Sequence, residues 1–251
     1  MSKRIDGTDW RRRAQPLLGT LVEIGARGGR GDATAAIDAA FDEARAVQAG
    51  LSRFDADSDV GRFHALPLGA ELTLRPHAAA VFAAAQELRD ASAGAFDISL
   101  ATAPFGWRCE SDRLRKLDAD VRVDLGGIGK GYAVDCAVDI LIARGCRAGW
   151  VNAGGDLRTF GDVEVPVVVR DETDGGARPF GWLRDGALAT SHFAPASRSR
   201  IVGRAAWPAG GQVTVAAPLC LWADALTKLA YLGGPVSRAL LAAYGAQAWW
   251  H

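Results

Sequence analysis

A glycine-rich stretch with one lysine is the part of the chain whose residue types and spacing best suit chemistry on an anion. It runs from Val123 to Asp135 and reads V-D-L-G-G-I-G-K-G-Y-A-V-D. Glycine lets backbone N–H groups approach an anion without a Cβ in the way, and a helix beginning beside the loop adds unpaired donors. Lys130 adds a mobile positive charge. The stretch therefore predicts a site for a phosphate-bearing ligand. The alternative is a tight turn between a short apolar strand and a helix, with no ligand.

The same stretch excludes two common nucleotide-binding motifs. A Walker loop requires G-x-x-x-x-G-K-[ST], and a dinucleotide-binding loop requires G-x-G-x-x-G. Neither pattern is present between Val123 and Asp135. The glycines therefore predict neither a nucleoside triphosphatase nor a Rossmann dehydrogenase.

Seven short segments, spread from residue 18 to residue 226, resemble in the same order the motifs of the ApbE family. They are Leu18-Gly19-Thr20, Leu51 to Ser58, Phe96 to Ser99, the glycine-rich stretch, Val151 to Asp156, Ala189-Thr190-Ser191 and Ala223 to Leu226. The glycine-rich stretch matches the family pattern D-L-G-G-I-A-K-G-Y-A-V-D except at Gly129. ApbE proteins are flavin transferases that cleave FAD and attach its FMN half to an acceptor protein. The resemblance implies that activity here.

The resemblance also implies which residues form the site. Asp124 and Lys130 would contact FAD, Gly127 would offer its carbonyl oxygen to a magnesium ion, and Asp224 would be the carboxylate ligand of that ion. One carboxylate, one carbonyl and the phosphate oxygens of the substrate suit the oxygen preference of magnesium. The pocket for the two ring systems would be lined by Leu18, Phe54, Ala95, Phe96 and Asp97. For Phe54 and Phe96 the alternative is an ordinary place in the hydrophobic core.

The chain departs from the family where the catalytic base is expected. The family carries H-I-x-D-P-x-T-G between the segments that correspond to Ser191 and Val213, and this chain has Arg200 to Gly210 there, without a histidine or a D-P pair. General-base work depends on reach and pKa rather than on sequence position. His192 is therefore the candidate base. His64 is the weaker candidate, and its alternative role is a hydrogen bond to the nucleotide.

A second departure lies at the expected metal site. Relatives place a threonine four residues after the metal-binding aspartate, whereas this chain has Lys228 there, next to Thr227. Either Thr227 ligates magnesium while Lys228 points away, or the Lys228 ammonium supplies part of the charge of the metal. A simple helical ion pair between Asp224 and Lys228 is the alternative without function. A retained magnesium ion is the expectation, because Gly127 and Asp224 are both present.

Composition points to a compact protein and says little about its partners. The 251 residues are 49% hydrophobic, and 29 basic residues balance 29 acidic ones, so no overall field attracts nucleic acid or an anionic membrane. No apolar run approaches the length of a membrane span. Cys109, Cys136, Cys146 and Cys220 lack metal-ligand spacing and read as reduced core thiols. With no export signal recognised, the expected location is the cytoplasm.

The pattern of elements predicts an α+β fold. We expect one ApbE-like, T-fold-related domain over residues 1–251, with a mixed or antiparallel sheet, packed helices and a flexible N-terminal arm over residues 1–15. Strands are predicted at 17–26, 150–153, 163–170, 182–190, 212–217 and 247–250, and a polar turn at 171–176. Helices are predicted from the cap at Asp32 to about residue 50, from Pro76 to near Gly94, at 132–144, from Trp222 and after Pro235.

The predicted function is FAD:protein FMN transfer, in which FMN is joined to a Thr or Ser hydroxyl of an acceptor protein and AMP is released. The predicted cofactors are FAD, as substrate, and Mg²⁺. Two alternatives remain: a magnesium-dependent FAD pyrophosphatase, in which water replaces the acceptor hydroxyl, and a flavin-binding protein that has lost the base.

Overall fold

The structure is a computed structural model that describes residues 9–29, 31–170, 175–193 and 211–251. Its helices are α1 (Ala33–Leu51), α2 (Asp59–Ala65), α3 (Pro76–Ala91), α4 (Gly129–Ala143), α5 (Cys220–Leu232) and α6 (Gly234–Ala243). Its strands are β1 (Trp10–Leu17), β2 (Thr20–Arg27), β3 (Glu71–Thr73), β4 (Trp107–Glu110), β5 (Arg113–Lys116), β6 (Ala148–Ala153), β7 (Asp156–Gly161), β8 (Val165–Arg170), β9 (Ala177–Leu183), β10 (Ala187–His192), β11 (Gln212–Ala217) and β12 (Gln247–Trp250). The α+β fold is confirmed.

A large antiparallel sheet carries the site. Within the described residues its strand order is β1-β2-β6-β7-β10-β11-β12, and every neighbouring pair in it is antiparallel. β3, β5 and β4 form a small second sheet, and β8 and β9 form a separate hairpin.

The two faces of the large sheet have different covers. On one face, Ile24 and Val151 pack with Ile37 of α1 and Val138 of α4, which forms an apolar layer between sheet and helices. On the other face, Trp150, Leu157 and Leu188 pack against Val167 and Leu183 of the β8–β9 hairpin. Side chains of a strand alternate between faces, so the central strands β6, β7 and β10 contribute to both layers.

The N-terminal residues that the structure describes are not an arm. Residues 10–17 form β1, which pairs with β2 from Trp10 opposite Arg27 to Leu17 opposite Thr20. The prediction of a flexible arm is therefore wrong for residues 10–15, and residues 1–8 lie outside the described residues. β1 is an exposed edge strand, so its polar sequence R-R-R-A-Q hides the pairing from a hydrophobicity pattern.

The helix predictions from caps are confirmed. The Asp32 side chain accepts a hydrogen bond from Thr34 N–H at the start of α1, and Pro76 opens α3. Two strand predictions are wrong. The short apolar segment before the glycine loop is not a strand, and the predicted strand 182–190 is two strands separated by Asp185 with φ of 48°.

Part of the predicted turn at 171–176, and the whole stretch from Arg200 to Gly210, lie outside the described residues. Within the described part of the chain, none of the helices combines the length and apolarity that crossing a bilayer demands.

Candidate active site at the start of helix α4

The glycine loop leads straight into α4. The Asp124 carboxylate accepts a hydrogen bond from Gly126 N–H at 2.8 Å, which closes a tight turn, and Asp124 N–H donates to the Ile98 carbonyl at 2.8 Å. Ile128 precedes α4 and gives it no side-chain cap. Lys130 therefore lies in the first turn of a helix whose N-terminal end carries partial positive charge.

Four charged side chains meet at the first turn of α4, and we call them the ion cluster: Lys130, Asp156, Asp224 and Lys228. Lys130 pairs with Asp156 at the start of β7, and Lys228 pairs with Asp224 one turn away on α5. The side chains of Asp156 and Asp224 are each only 2% exposed. A buried carboxylate without a partner lowers the stability of the fold, so each ammonium group stabilises the carboxylate that it contacts.

The two carboxyl groups of the ion cluster are held in different electrostatic states. Burial and the nearby Asp224 charge raise the pKa of Asp156 to about 6, against the opposing effect of Lys130. Burial alone would also raise the pKa of Asp224, but Lys228 and Lys130 outweigh it and lower that pKa. Burial disfavours the charge on Lys130, yet Asp156 and Asp224 raise its pKa overall. The cluster therefore holds the charge of Asp224 more firmly than that of Asp156.

Two residues fix α5 against α4 and so place Asp224. The Asp135 carboxylate accepts hydrogen bonds from the first N–H groups of α5, Cys220 at 2.9 Å and Leu221 at 2.8 Å, and therefore caps a helix to which it does not belong. Gly131 lets the two helices touch, since a Cβ there would lie 2.2 Å from the Cys220 carbonyl oxygen. Gly131 N–H donates to the Asp224 carboxylate at 3.3 Å.

The residues predicted to bind magnesium meet, but they do not fit the ion. Asp224 contacts the Lys228 ammonium through Oδ1 and accepts from Gly131 N–H through Oδ2. The buried Thr227 hydroxyl donates to the Asp224 carbonyl at 2.7 Å and lies 2.8 Å from the Ser191 hydroxyl. Gly127 faces the Lys228 side chain. Magnesium needs about six oxygen ligands in octahedral geometry, and the Asp224 carboxylate and the Thr227 hydroxyl are already engaged.

Of the two arrangements weighed for Lys228, the contacts of the structure favour the second. Lys228 does not point away from Asp224, and the Thr227 hydroxyl donates to the Asp224 carbonyl oxygen rather than turning toward the carboxylate. The assignment of Thr227 as a magnesium ligand stays a prediction, and this geometry does not support it. The sequence could not decide this point, because the choice depends on which side chain of α5 faces the loop.

A cleft of about 280 Å³ lies at the Asp124 end of the glycine loop. Its lining residues are Arg53, Phe54, His64, Ser99, Leu100, Thr102, Arg122, Val123 and Asp124. Phe54 is 85% exposed, so the alternative that places it in the core is wrong. The Arg53 guanidinium lies 4.5 Å from the centre of the Phe54 ring and 3.2 Å from the Asp124 carboxylate. An exposed aromatic ring beside a cation suits a planar ligand.

Two serines stabilise the loop around Phe54, in the segment that resembles the family motif. The Ser52 hydroxyl accepts from Phe54 N–H at 3.3 Å, and the Ser58 hydroxyl donates to the Ser52 carbonyl at 2.5 Å while capping α2 through Gly61 N–H. These bonds hold the loop that presents Phe54 at the rim of the cleft.

The other residues predicted to contact the rings do not line the cleft. Phe96 is buried in the core, so for this residue the core alternative is correct. Asp97 accepts hydrogen bonds from Ser99 and Ala101 and shapes the turn whose following residues line the cleft. Ala95 and Leu18 are not among the lining residues. Leu18 instead turns the β1–β2 hairpin with φ of 55°.

His192 lies on the opposite face of β10 from the ion cluster. The neighbouring Ser191 hydroxyl reaches Thr227 on α5, and strand side chains alternate, so His192 points to the other face together with Thr190. The assignment of His192 as a base stays a prediction, and this geometry does not support it.

His64 lies in the cleft as a neutral acceptor. Its Nε2 accepts a hydrogen bond from Val123 N–H at 2.9 Å, and burial together with the charge of Arg122 lowers its pKa. A lowered pKa means that the unfolded chain binds the proton better, so stability falls as the pH drops below about 6.5.

We therefore expect wild type to lose more free energy of unfolding than His64→Gln between about pH 7.5 and about pH 5, because the glutamine oxygen accepts from Val123 without titrating. Thermal melts of both proteins at the two pH values measure the difference. An equal loss in the two proteins would show that His64 is not a source of the pH dependence.

Sequence reasoning missed three residues of this site. Asp156, Asp135 and Arg53 stand inside or beside recognised motifs, but only the fold brings Asp156 to Lys130 and Asp135 to the start of α5. The sequence did offer one signal for Asp156 and Asp135, because they are the aspartates that end the motifs V-N-A-G-G-D and K-G-Y-A-V-D.

Comparison with protein families gives a match over most of the chain. The model of the ApbE family matches residues 18–113 and 103–250. A search of curated proteins gave no match.

Solved structures share the fold. The flavinyl transferase ApbE of Pseudomonas stutzeri is 23% identical, with a TM-score of 0.77 over 96% of this chain and 90% of its own. The flavin transferase ApbE of Vibrio cholerae is 20% identical, with a TM-score of 0.76 over 96% and 92%. The ApbE protein of Thermotoga maritima is 21% identical, with a TM-score of 0.78 over 95% and 93%.

Proposed function

The chain belongs to the ApbE family, and on that premise we propose that it is a flavin transferase whose donor substrate is FAD. In the proposed reaction a Thr or Ser hydroxyl of an acceptor protein attacks the phosphorus of the FMN half. A phosphoester bond forms, the bond between the two phosphates breaks, the hydroxyl loses its proton to a base, and AMP leaves.

The observation that carries this proposal is the arrangement of a ring-binding cleft and a cationic helix start at the two ends of one glycine loop. Asp124, Arg53 and Phe54 lie at the cleft, and Lys130 lies six residues along the loop, in the first turn of α4. FAD has the same two parts, since flat rings flank a diphosphate. Lys130 and the backbone N–H groups would offset the phosphate charge that grows as the hydroxyl attacks.

The proposal gives magnesium no step, because the Asp224 carboxylate and the Thr227 hydroxyl already have partners. Lys130 instead supplies the positive charge of the site, held in place by Asp156.

A second candidate function is FAD hydrolysis, in which water attacks in place of the acceptor hydroxyl. It is favoured by the position of His192 away from the ion cluster, which leaves that histidine poorly placed to activate a protein hydroxyl. A third is a flavin-binding protein without catalysis, which the same observation supports.

Product analysis separates the three functions. Purified protein is incubated with FAD, with and without an extract of total cell protein, and the products are resolved by chromatography and on a denaturing gel. Transfer predicts a flavin-fluorescent protein band together with AMP. Free FMN with AMP and no such band would identify the hydrolase, and FAD that stays intact while bound would identify the binding protein.

The control variants for this experiment are a matched pair of exposed aromatic residues. We expect Phe54→Ala to weaken FAD binding by about tenfold, because a stacked ring contributes about 1–3 kcal/mol. The melting temperature should stay unchanged, since Phe54 is 85% exposed. Trp182, 61% exposed on the β8–β9 hairpin, is the control, and Trp182→Ala should leave FAD binding as in wild type. Equal effects of the two substitutions would contradict the placement of a ring in the cleft.

A further inference from the structure

Lys228 occupies the point where helix α5 meets the glycine loop. Its ammonium group contacts Asp224 Oδ1 and also donates to the Asp224 carbonyl oxygen at 2.8 Å. Its side chain is 14% exposed. A Cβ on Gly127 would lie 3.1 Å from Lys228 Cε and 3.8 Å from Nζ, so the lysine chain packs on the loop itself.

The charges of the ion cluster balance without any added ion. Two ammonium groups, of Lys130 and Lys228, face two buried carboxylates, of Asp156 and Asp224. A divalent cation at Asp224 would lie close to the Lys228 ammonium and near that of Lys130, and it would have to displace Lys228 from Oδ1. Repulsion between cations is strong where burial keeps water away.

The Thr227 hydroxyl, beside the Asp224 carboxylate, also has its hydrogen-bond partners already. Thr227 is fully buried, and its Oγ1 donates to the Asp224 carbonyl and lies 2.8 Å from Ser191 Oγ. Turning this hydroxyl toward a metal ion would leave the Ser191 hydroxyl without that partner inside the protein.

We propose that Lys228 is a built-in cation that takes the place of a metal ion at Asp224, so that this chain binds the FAD diphosphate without a divalent metal. The identity of the ligand rests on the proposed function. The exclusion of the metal rests only on the contacts of Lys228, Asp224 and Thr227.

Manganese binding tests the exclusion of the metal without FAD turnover. Mn²⁺ is titrated into wild type and Lys228→Thr, with and without FAD, and free Mn²⁺ is followed by its electron paramagnetic resonance signal. We expect no stoichiometric binding to wild type, and one bound ion in Lys228→Thr, which exposes the Asp224 carboxylate and adds a hydroxyl beside it. Tight binding of one ion to wild type, lost in Asp224→Asn, would overturn the proposal.

Calorimetric titration with FAD, in EDTA and in Mg²⁺, tests the functional consequence. Wild type should bind FAD with the same affinity in both. Lys228→Thr should bind at least about tenfold more weakly in EDTA, since a charged hydrogen-bond partner is lost, and should recover affinity in Mg²⁺. FAD binding by wild type that requires Mg²⁺ would overturn this inference and leave the transferase proposal standing. If wild type binds no FAD in either condition, the proposed function fails, and the manganese titration still decides the exclusion of the metal.

Lys228→Thr leaves Asp224 without its partner and could fail to fold. A second variant keeps the test valid in that case. Lys228→Met/Asp224→Asn replaces the pair by neutral side chains of similar size. It should bind FAD at least about tenfold more weakly than wild type, with no recovery in Mg²⁺. Wild-type affinity in this folded variant would contradict a role for the Lys228 charge.

Discussion

Gly131→Ala is expected to lower the free energy of unfolding by about 2 kcal/mol or more, although alanine is the better helix former. A Cβ at this position would lie 2.2 Å from the Cys220 carbonyl oxygen and 2.9 Å from Asp224 Cβ. The nearest atoms belong to the backbone of α5, so they can yield only if the helix moves. Thermal or urea unfolding measures the loss, which should lower the melting temperature by roughly 4–8 °C.

A matched glycine gives the control for this substitution. Gly181 lies in β9 with no atom within 4 Å of an added Cβ, so Gly181→Ala should change the free energy of unfolding by less than about 0.5 kcal/mol. Because the movement of α5 carries Asp224, Gly131→Ala should also weaken FAD binding. Stability and FAD affinity as in wild type would show that α4 and α5 are not in the close contact described.

Lys130→Met is expected to lower the free energy of unfolding by at least as much, through charge rather than volume. The substitution leaves the Asp156 carboxylate, 2% exposed, without its ammonium partner. Breaking a buried pair costs about 3–5 kcal/mol, and the lower end applies here because the Lys130 side chain is 34% exposed. Urea unfolding of the variant beside wild type at about pH 7.5 measures this loss.

The loss in Lys130→Met should shrink as the pH falls. Burial already raises the pKa of Asp156 to about 6, and removal of the lysine raises it further, so acid neutralises the orphaned carboxylate. In Lys130→Met/Asp156→Leu the carboxylate is gone, and most of the lost stability should return at every pH. A double variant as unstable as the single one would show that the pair is not the cause.

Much of the fold could be predicted from the sequence where local signals are strong. Asp32 as a cap and Pro76 as a first helical residue both mark helix starts that the structure confirms. β1 could not be predicted, because its outward side chains are polar and its pairing with β2 is a tertiary contact.

The site could be predicted in its parts but not in its pairings. Asp124, Phe54 and His64 do line one cleft. Lys130 lies in the first turn of α4, which begins at Gly129 and thus three residues before the predicted start at residue 132. The partner of Lys130 is Asp156, and the partner of the α5 N-terminus is Asp135, each from an element distant in sequence. Such pairings depend on how α4, α5 and β7 pack, which no local pattern encodes.

The variant Lys130→Met/Asp156→Leu, which lacks both charges, also allows the most direct measurement. The affinity of this variant and of wild type for FAD is measured by calorimetric titration. Riboflavin, which lacks phosphate, serves as the control ligand. If the ion cluster and the glycine loop bind the diphosphate, the variant should bind FAD at least about tenfold more weakly than wild type and riboflavin equally well. Equal affinity of both proteins for FAD would contradict the assignment of Lys130 to the phosphates, and with it the proposed site.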